Sequence, residues 1–297
     1  MLAFMLVLCV LPVNGSCYAG LFNSNKPADD QVMNILVIGE DKYSADSMEV
    51  EENGNADGEI ILSINKNTKK IILTSLARDS VLEMDGQQTT KATLIYHYYG
   101  KEALCSAIEE SLGIHIDNTV IFNYLSVIDI VDAFGGVEME LSANEVYFTN
   151  SKITQMNTLL LDEYADADLL EKPSGMFHLN GKQAAAYMRI RISDETNNDF
   201  GRTDRARKVV LALKDKAMET GKIKLIGIAK KVIANVEYDF SLKELFALVG
   251  EALDYKDYEM ISQCVPAEGT YHTGEGYVYM DLEANRKMLQ DTIYGTQ

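Results

Sequence analysis

The sequence predicts an α/β fold, a mixed central β-sheet sandwiched between α-helices, and three observations predict it. Short apolar runs bounded by turn residues, "NILVIG" (34–39), "EIILSI" (59–64) and "KIILTSL" (70–76), read as buried strands. Segments with helical spacing, such as 101–113 and 203–221, lie between or after them. The order strand, hairpin, helix, strand, helix, strand places helices on the faces of a sheet. With 297 residues, 47% of them hydrophobic, the chain can bury a sizeable core.

The elements follow in order. Residues 1–20, "MLAFMLVLCVLPVNGSCYAG", are apolar up to Val13 and then small and polar. No cation precedes Lys26, so the charged start of a secretory leader is missing. The segment reads as a signal-peptide core or a clipped membrane anchor, with a buried structural helix as the plain alternative. Residues 21–33 read as a polar linker, and 34–297 as the folded domain. "NILVIGED" is a buried strand with Asp41 at its exit, and 59–76 is a hairpin closed by an Asn/Lys-rich turn. "KEALCSAIEESLG" is a helix with Gly113 as its C-cap. "NTVIFNY", "SVIDIVDAFGG" and "VEMEL" read strand, helix, strand. Residues 142–178 read as irregular: a lid, a binding segment or a disordered connection. Helix resumes at "LNGKQAAAYM", and Thr203 is expected to cap the helix that follows. Two more helices, near 222–236 and 241–254, precede a hairpin and a closing helix.

Charge narrows the function. A formal charge of −18 argues against a protein that grips nucleic acid with its surface, so an anion needs a local cationic pocket. "YMRIRISDETNNDFGRTDRARK" (187–208) concentrates Arg189, Arg191, Arg202, Arg205, Arg207 and Lys208. Arg189 and Arg191, at i and i+2, share a direction if the segment is extended. Asp199, Arg202 and Arg205 are spaced by three, as along one side of a helix entrance. Guanidinium groups beside a helix N-terminus suit phosphate or pyrophosphate. A salt-bridged surface is the alternative, because Asp194, Glu195, Asp199 and Asp204 are interleaved.

A second set sits at strand ends, where α/β sheets build sites: Asp41 after the first strand, and Arg78 and Asp79 after the hairpin. Asp57 is expected in the loop before the hairpin, near Asp41. Two carboxylates plus phosphate oxygens suit Mg²⁺. Singly, each Asp reads equally as a cap or turn residue.

In this order the pieces resemble the LytR-CpsA-Psr cell-envelope phosphotransferases. The resemblance rests on "NILVIGED", "ADGEIILSINKNTKKIILTSLARDS", "TKAT", "IDIVDAFGGVEMEL", "LNGKQAAAYMRIR" and "DFGRTDRARK", across 34–215. It implies transfer of an anionic glycopolymer, of teichoic acid or capsule type, from a polyprenyl-pyrophosphate carrier to peptidoglycan. The place implied is the extracytoplasmic face of the membrane. By motif position it implies Asp41 and Asp57 as Mg²⁺ ligands and Arg78, Arg189, Arg191, Arg202 and Arg205 as a pyrophosphate clamp. Asp79, Lys91 and Asp199 would stand at its rim, with Asp79 a candidate base.

The sequence also departs from the family pattern. Tyr43 and Asn55 stand where the family usually has Arg, Thr93 where Asn is usual, and Ala206 where Gln is common. A module that binds the carrier without turnover is therefore the second expectation. Of four cysteines, Cys105 and Cys264 lie in the folded part, either as small buried apolar groups or as a disulfide.

Overall fold

The computed structural model describes residues 31–295 apart from 44–49, 85–88, 160–167, 191–198, 221–223, 225–227, 229–235, 242–243 and 245–253. The leader, most of the linker and Arg191 lie outside the described residues, as do most of the helices expected at 222–236 and 241–254. No helix among the described residues is long and apolar enough to cross a membrane. The chain forms two compact units. Among the described residues, one is built from those between 31 and Asn123 with Glu237–Ser241 and Asp254 onward, the other from those within Tyr124–Val236 and Leu242–Leu253.

The first unit holds a six-stranded mixed sheet. Its strands are β1 (Val32–Tyr43), β2 (Val50–Asn65), β3 (Lys70–Leu76), β6 (Asn118–Phe122), β9 (Glu237–Tyr238) and β10 (Glu259–Val265). They lie in the order β10-β3-β2-β1-β6-β9, with β1–β6 and β3–β10 parallel and the other pairs antiparallel. The short strands β4 (Val81–Leu82) and β5 (Thr90–Lys91) lead into helix α1 (Ala92–Leu112). Leu36, Ile38, Ile61 and Leu76 alternate onto one sheet face, where they pack with Ile95, Leu104, Ile108 and Leu112 of α1. Each such side chain contributes about 1.5–3 kcal/mol on burial. Gly113 closes α1 in the left-handed region, its N–H donating to the Glu109 carbonyl at 2.9 Å. The helix starts nine residues earlier than its spacing suggests, because Gly100 (φ 82) kinks it and breaks the periodicity.

The second unit contains helices α2 (Tyr124–Ala133), α3 (Ala143–Leu159), α4 (Gly181–Arg189) and α5 (Asp199–Glu219), with the β7–β8 ribbon (Val137–Leu141, Gly175–Leu179). Residues 142–178, expected to be irregular, therefore supply a helix and a strand. Thr203, expected as a cap, lies inside α5. The buried helix α4 begins at a capping box: Asn180 accepts from the Gln183 N–H at 2.9 Å, and the Gln183 side chain accepts from the Asn180 N–H at 3.0 Å. A Cβ at Gly181 would collide with the Ile128 carbonyl, so only glycine lets α4 approach α2 this closely.

The first unit ends with β11 (Tyr271–Gly274), β12 (Tyr277–Met280) and helix α6 (Leu282–Leu289), the hairpin and closing helix expected from sequence. Cys105 and Cys264 are both free thiols.

Candidate active site

β1 and β2 pair in regular register from Val32↔Asn65 to Gly39↔Gly58. Glu40 then opposes Ala56, which leaves Asp57 as an extra residue on β2. Such a bulge bends the strand and re-aims a side chain. Asp57 thus belongs to a strand and not to the loop expected before it. Asp41 opposes Asn55, so both proposed metal-binding carboxylates reach the same end of the β1–β2 pair.

The chain leaving β3 is pinned from three sides. The Ala77 N–H donates to the Val265 carbonyl of β10 at 2.8 Å. From α1, the Thr93 N–H donates to the Arg78 carbonyl at 3.1 Å and the Ala92 N–H to the Ser80 carbonyl at 2.9 Å. From β12, the Val278 N–H donates to the Asp79 carbonyl at 2.9 Å. Two N–H groups that a helix start leaves over are thereby satisfied. Since residue 93 holds the loop through its backbone, Thr93 in place of the family's Asn leaves that bond intact.

On this frame the charges interlock. Arg78 Nη1 donates to Asp57 Oδ1, and Arg78 Nε lies 3.8 Å from Asp79 Oδ2. Lys91 Nζ is 3.0 Å from Asp79 Oδ1 and 4.7 Å from the centroid of the Tyr277 ring. These charged side chains are only 19–23% exposed, so solvent screens them weakly. With Asp41 at the same strand end, the site carries three carboxylates beside two cations. Among the described residues no three His, Cys, Asp or Glu side chains group to hold a metal. Mg²⁺ commonly takes only one or two carboxylates plus phosphate oxygens, and half-buried Asp41 and Asp57 fit that need.

Behind the cluster, buried Glu40 accepts from the Tyr96 hydroxyl at 2.9 Å and the Gly54 N–H at 3.2 Å. Burial, and then the Glu40 carboxylate, push the Tyr96 phenol well above its ordinary value. Sequence reasoning missed Glu40, Tyr96 and Tyr277. Glu40 carried a signal, an acid within an apolar strand; the tyrosines carried none.

The second unit holds the other arginines of the expected clamp. Arg189 is the last residue of α4, half-buried, and Ile190 after it is extended. The expectation that Arg189 and Arg191 share one extended segment is therefore corrected at Arg189, which is helical. Arg205 is 3% exposed and donates from Nη2 to the Ile190 carbonyl at 2.6 Å. Through this bond Arg205, expected to bind substrate, braces the chain beside Arg189. Asp199 and Arg202 lie in the first turns of α5, and their side chains fall outside the described residues.

The LytR_cpsA_psr family model matches residues 16–293. The chain is 28% identical over 271 residues to the polyisoprenyl-teichoic acid–peptidoglycan teichoic acid transferase TagV of Bacillus subtilis, covering 87% of this chain and 64% of that one. It is 26% identical over 276 residues to biofilm regulatory protein A of Streptococcus mutans, covering 89% and 63%. The chain thus spans a little under two thirds of the length of these relatives. Among solved structures, Bacillus subtilis YwtF (TagT) with bound octaprenyl pyrophosphate lipid shares the fold at a TM-score of 0.63 and 20% identity, covering 95% of this chain and 100% of that one.

Proposed function

The chain belongs to the LytR_cpsA_psr family, and on that premise we propose that it transfers an anionic glycopolymer from a polyprenyl-pyrophosphate carrier to peptidoglycan. The observation that carries the reading is the pinned Asp57–Arg78–Asp79–Lys91 cluster at a strand exit. It supplies fixed cations for phosphate oxygens and a carboxylate for an acceptor hydroxyl.

In the reaction the acceptor oxygen forms a bond to the phosphorus nearer the glycan. The bond from that phosphorus to the bridging oxygen breaks, and polyprenyl phosphate leaves. Arg78 and Lys91 offset charge that builds on the phosphoryl oxygens. Asp79 lies next to both cations and takes the acceptor's proton. Asp41 and Asp57 would hold Mg²⁺, which as a Lewis acid draws charge from the phosphate. Arg189, Arg191, Arg202 and Asp199 are assigned to anion binding by motif position. The reading puts the domain outside the cytoplasmic membrane, where peptidoglycan lies.

A carrier-binding module without turnover is the second reading. Each described cation of the cluster already faces a carboxylate, and Asn55 and Tyr43 replace usual arginines, which favours it. The test is glycan transfer from a polyprenyl-pyrophosphate substrate with Mg²⁺ or with a chelator, alongside carrier binding. Asp57→Ala should cut turnover heavily and keep much carrier affinity, since it frees Arg78 and removes a like charge. Carrier binding by the wild type without metal-dependent transfer selects the second reading.

A further inference from the structure

The hairpin that pins Asp79 carries a row of aromatic rings that the proposed reaction does not use. Its register pairs His272 with Tyr279 and Gly274 with Tyr277, so alternation sets His272, Tyr277 and Tyr279 on one face. Glu275 (φ 51) and Gly276 (φ 78) form a two-residue turn with both φ positive, the type that keeps a hairpin's twist fixed. The His272 and Tyr279 rings are 5.2 Å apart and inclined by 18°. The Tyr277 and Tyr279 rings are 6.0 Å apart and inclined by 29°. Tyr279 is 39% exposed, and His272 is exposed. At one end of the row Lys91 covers Tyr277 while holding Asp79. The aromatic row is therefore continuous with the ionic cluster.

We propose that this face is a saccharide-binding strip that seats the acceptor glycan beside the ionic cluster; the proposal rests on the transferase reading. The rings stack on one another, so the row presents its outer ring face and a line of ring edges, where the tyrosine hydroxyls and the His272 imidazole can hydrogen-bond sugar hydroxyls. Charge selects the source. Residues 266–285 contain no Lys or Arg but carry Glu268, Glu275, Asp281 and Glu283. Such a surface repels an anionic donor polymer and an anionic lipid surface and tolerates neutral sugar rings. The occupant is a β-1,4-linked N-acetylhexosamine chain.

The protein has no Trp, so Tyr279→Trp in the full chain gives a single fluorophore on the strip. Titration with the β-1,4-linked N-acetylglucosamine tetramer, and with uncrosslinked peptidoglycan strands, should give a saturable emission shift. Adding Tyr277→Ala should weaken binding about tenfold or more. In transfer assays Tyr279→Ala should raise the acceptor KM about tenfold, much more than it lowers kcat, and Tyr279→Phe, which keeps the ring and loses the hydroxyl, should fall between the two. No shift with either saccharide, or a shift indifferent to Tyr277→Ala, overturns the proposal. So does a shift driven by protein concentration alone, which marks a second copy, or by anionic vesicles alone, which marks a lipid surface. Saccharide binding in a protein that shows no transfer would sink the transferase reading and leave the strip standing. Transfer with no strip binding does the reverse.

Discussion

At the sheet exit Arg78 and Lys91 are held by carboxylates, Asp57 and Asp79; beside the end of α4, Arg205 is held by a main-chain carbonyl. The difference matters because a carboxylate partner can be exchanged. On the proposed function an incoming phosphate would compete with Asp57 for Arg78, and a cation would compete with Arg78 for Asp57. A buried carbonyl offers no such exchange, so this bond of Arg205 fixes a local conformation. Arginine count alone, the feature most visible in 187–208, does not separate the two uses.

Substitutions can break or sharpen this contrast. The largest effect is expected at the exchangeable site. Arg78→Ala should lower the transfer rate by about 10²–10³, the scale of losing one fixed donor to a developing oxyanion. A loss under about threefold in single-turnover transfer would remove Arg78 from the reaction. Arg205→Met keeps the aliphatic stem but removes the donor to Ile190. It should cost about 1–3 kcal/mol, read as a lowered Tm, because a buried carbonyl loses its partner. An unchanged Tm would mean that the brace is not structural.

Tyr96→Phe tests the support behind the cluster and should cost about 1 kcal/mol. It also carries a pH signature. The folded phenol is raised above its ordinary value of 10.0, so the unfolded chain ionises first as pH rises. The contribution of Tyr96 is thus complete below that value and is lost as pH climbs above it. Denaturant melts of the wild type should weaken in that alkaline range, and Tyr96→Phe should flatten this part of the slope. The smallest effect belongs to a pair of the same charge type with one exposed partner. Lys101 and Glu237 meet at 3.1 Å with Glu237 60% exposed, and Glu237→Gln should stay within about 0.5 kcal/mol. A larger cost there would undo the distinction between screened and half-buried pairs.

Much of the fold was legible because its elements repeat locally. The apolar strands, the Gly113 cap and the α4 sequence each follow a short period. Helix α3 was not legible, although Val146, Thr149, Ile153 and Met156 form a buried stripe at helical spacing. Two of its fully buried residues, Thr149 and Asn157, are polar, so an apolar count does not see the stripe. The Asp57 bulge was hidden for another reason, since register depends on how two strands align and not on either alone. In the site, Asp41, Asp57, Arg78, Asp79 and Lys91 were named from sequence, and the structure groups the last four in one ionic network. Their mutual neutralisation could not be read, because it depends on distances across the bulge and the β3–α1 loop. Tyr277 was hidden in the same way: it meets Lys91 through a hairpin formed much later in the chain.

The pinned loop after β3 also has a consequence for the order of synthesis. Its charged residues and Lys91 emerge early from the ribosome, yet two of the bonds that fix the loop come from Val265 and Val278. A chain interrupted before Val265 carries every carboxylate and cation of the cluster but lacks its clasp. The site is thus assembled by a segment translated long after its charged residues, and a partial product displays the charges without holding them in working geometry.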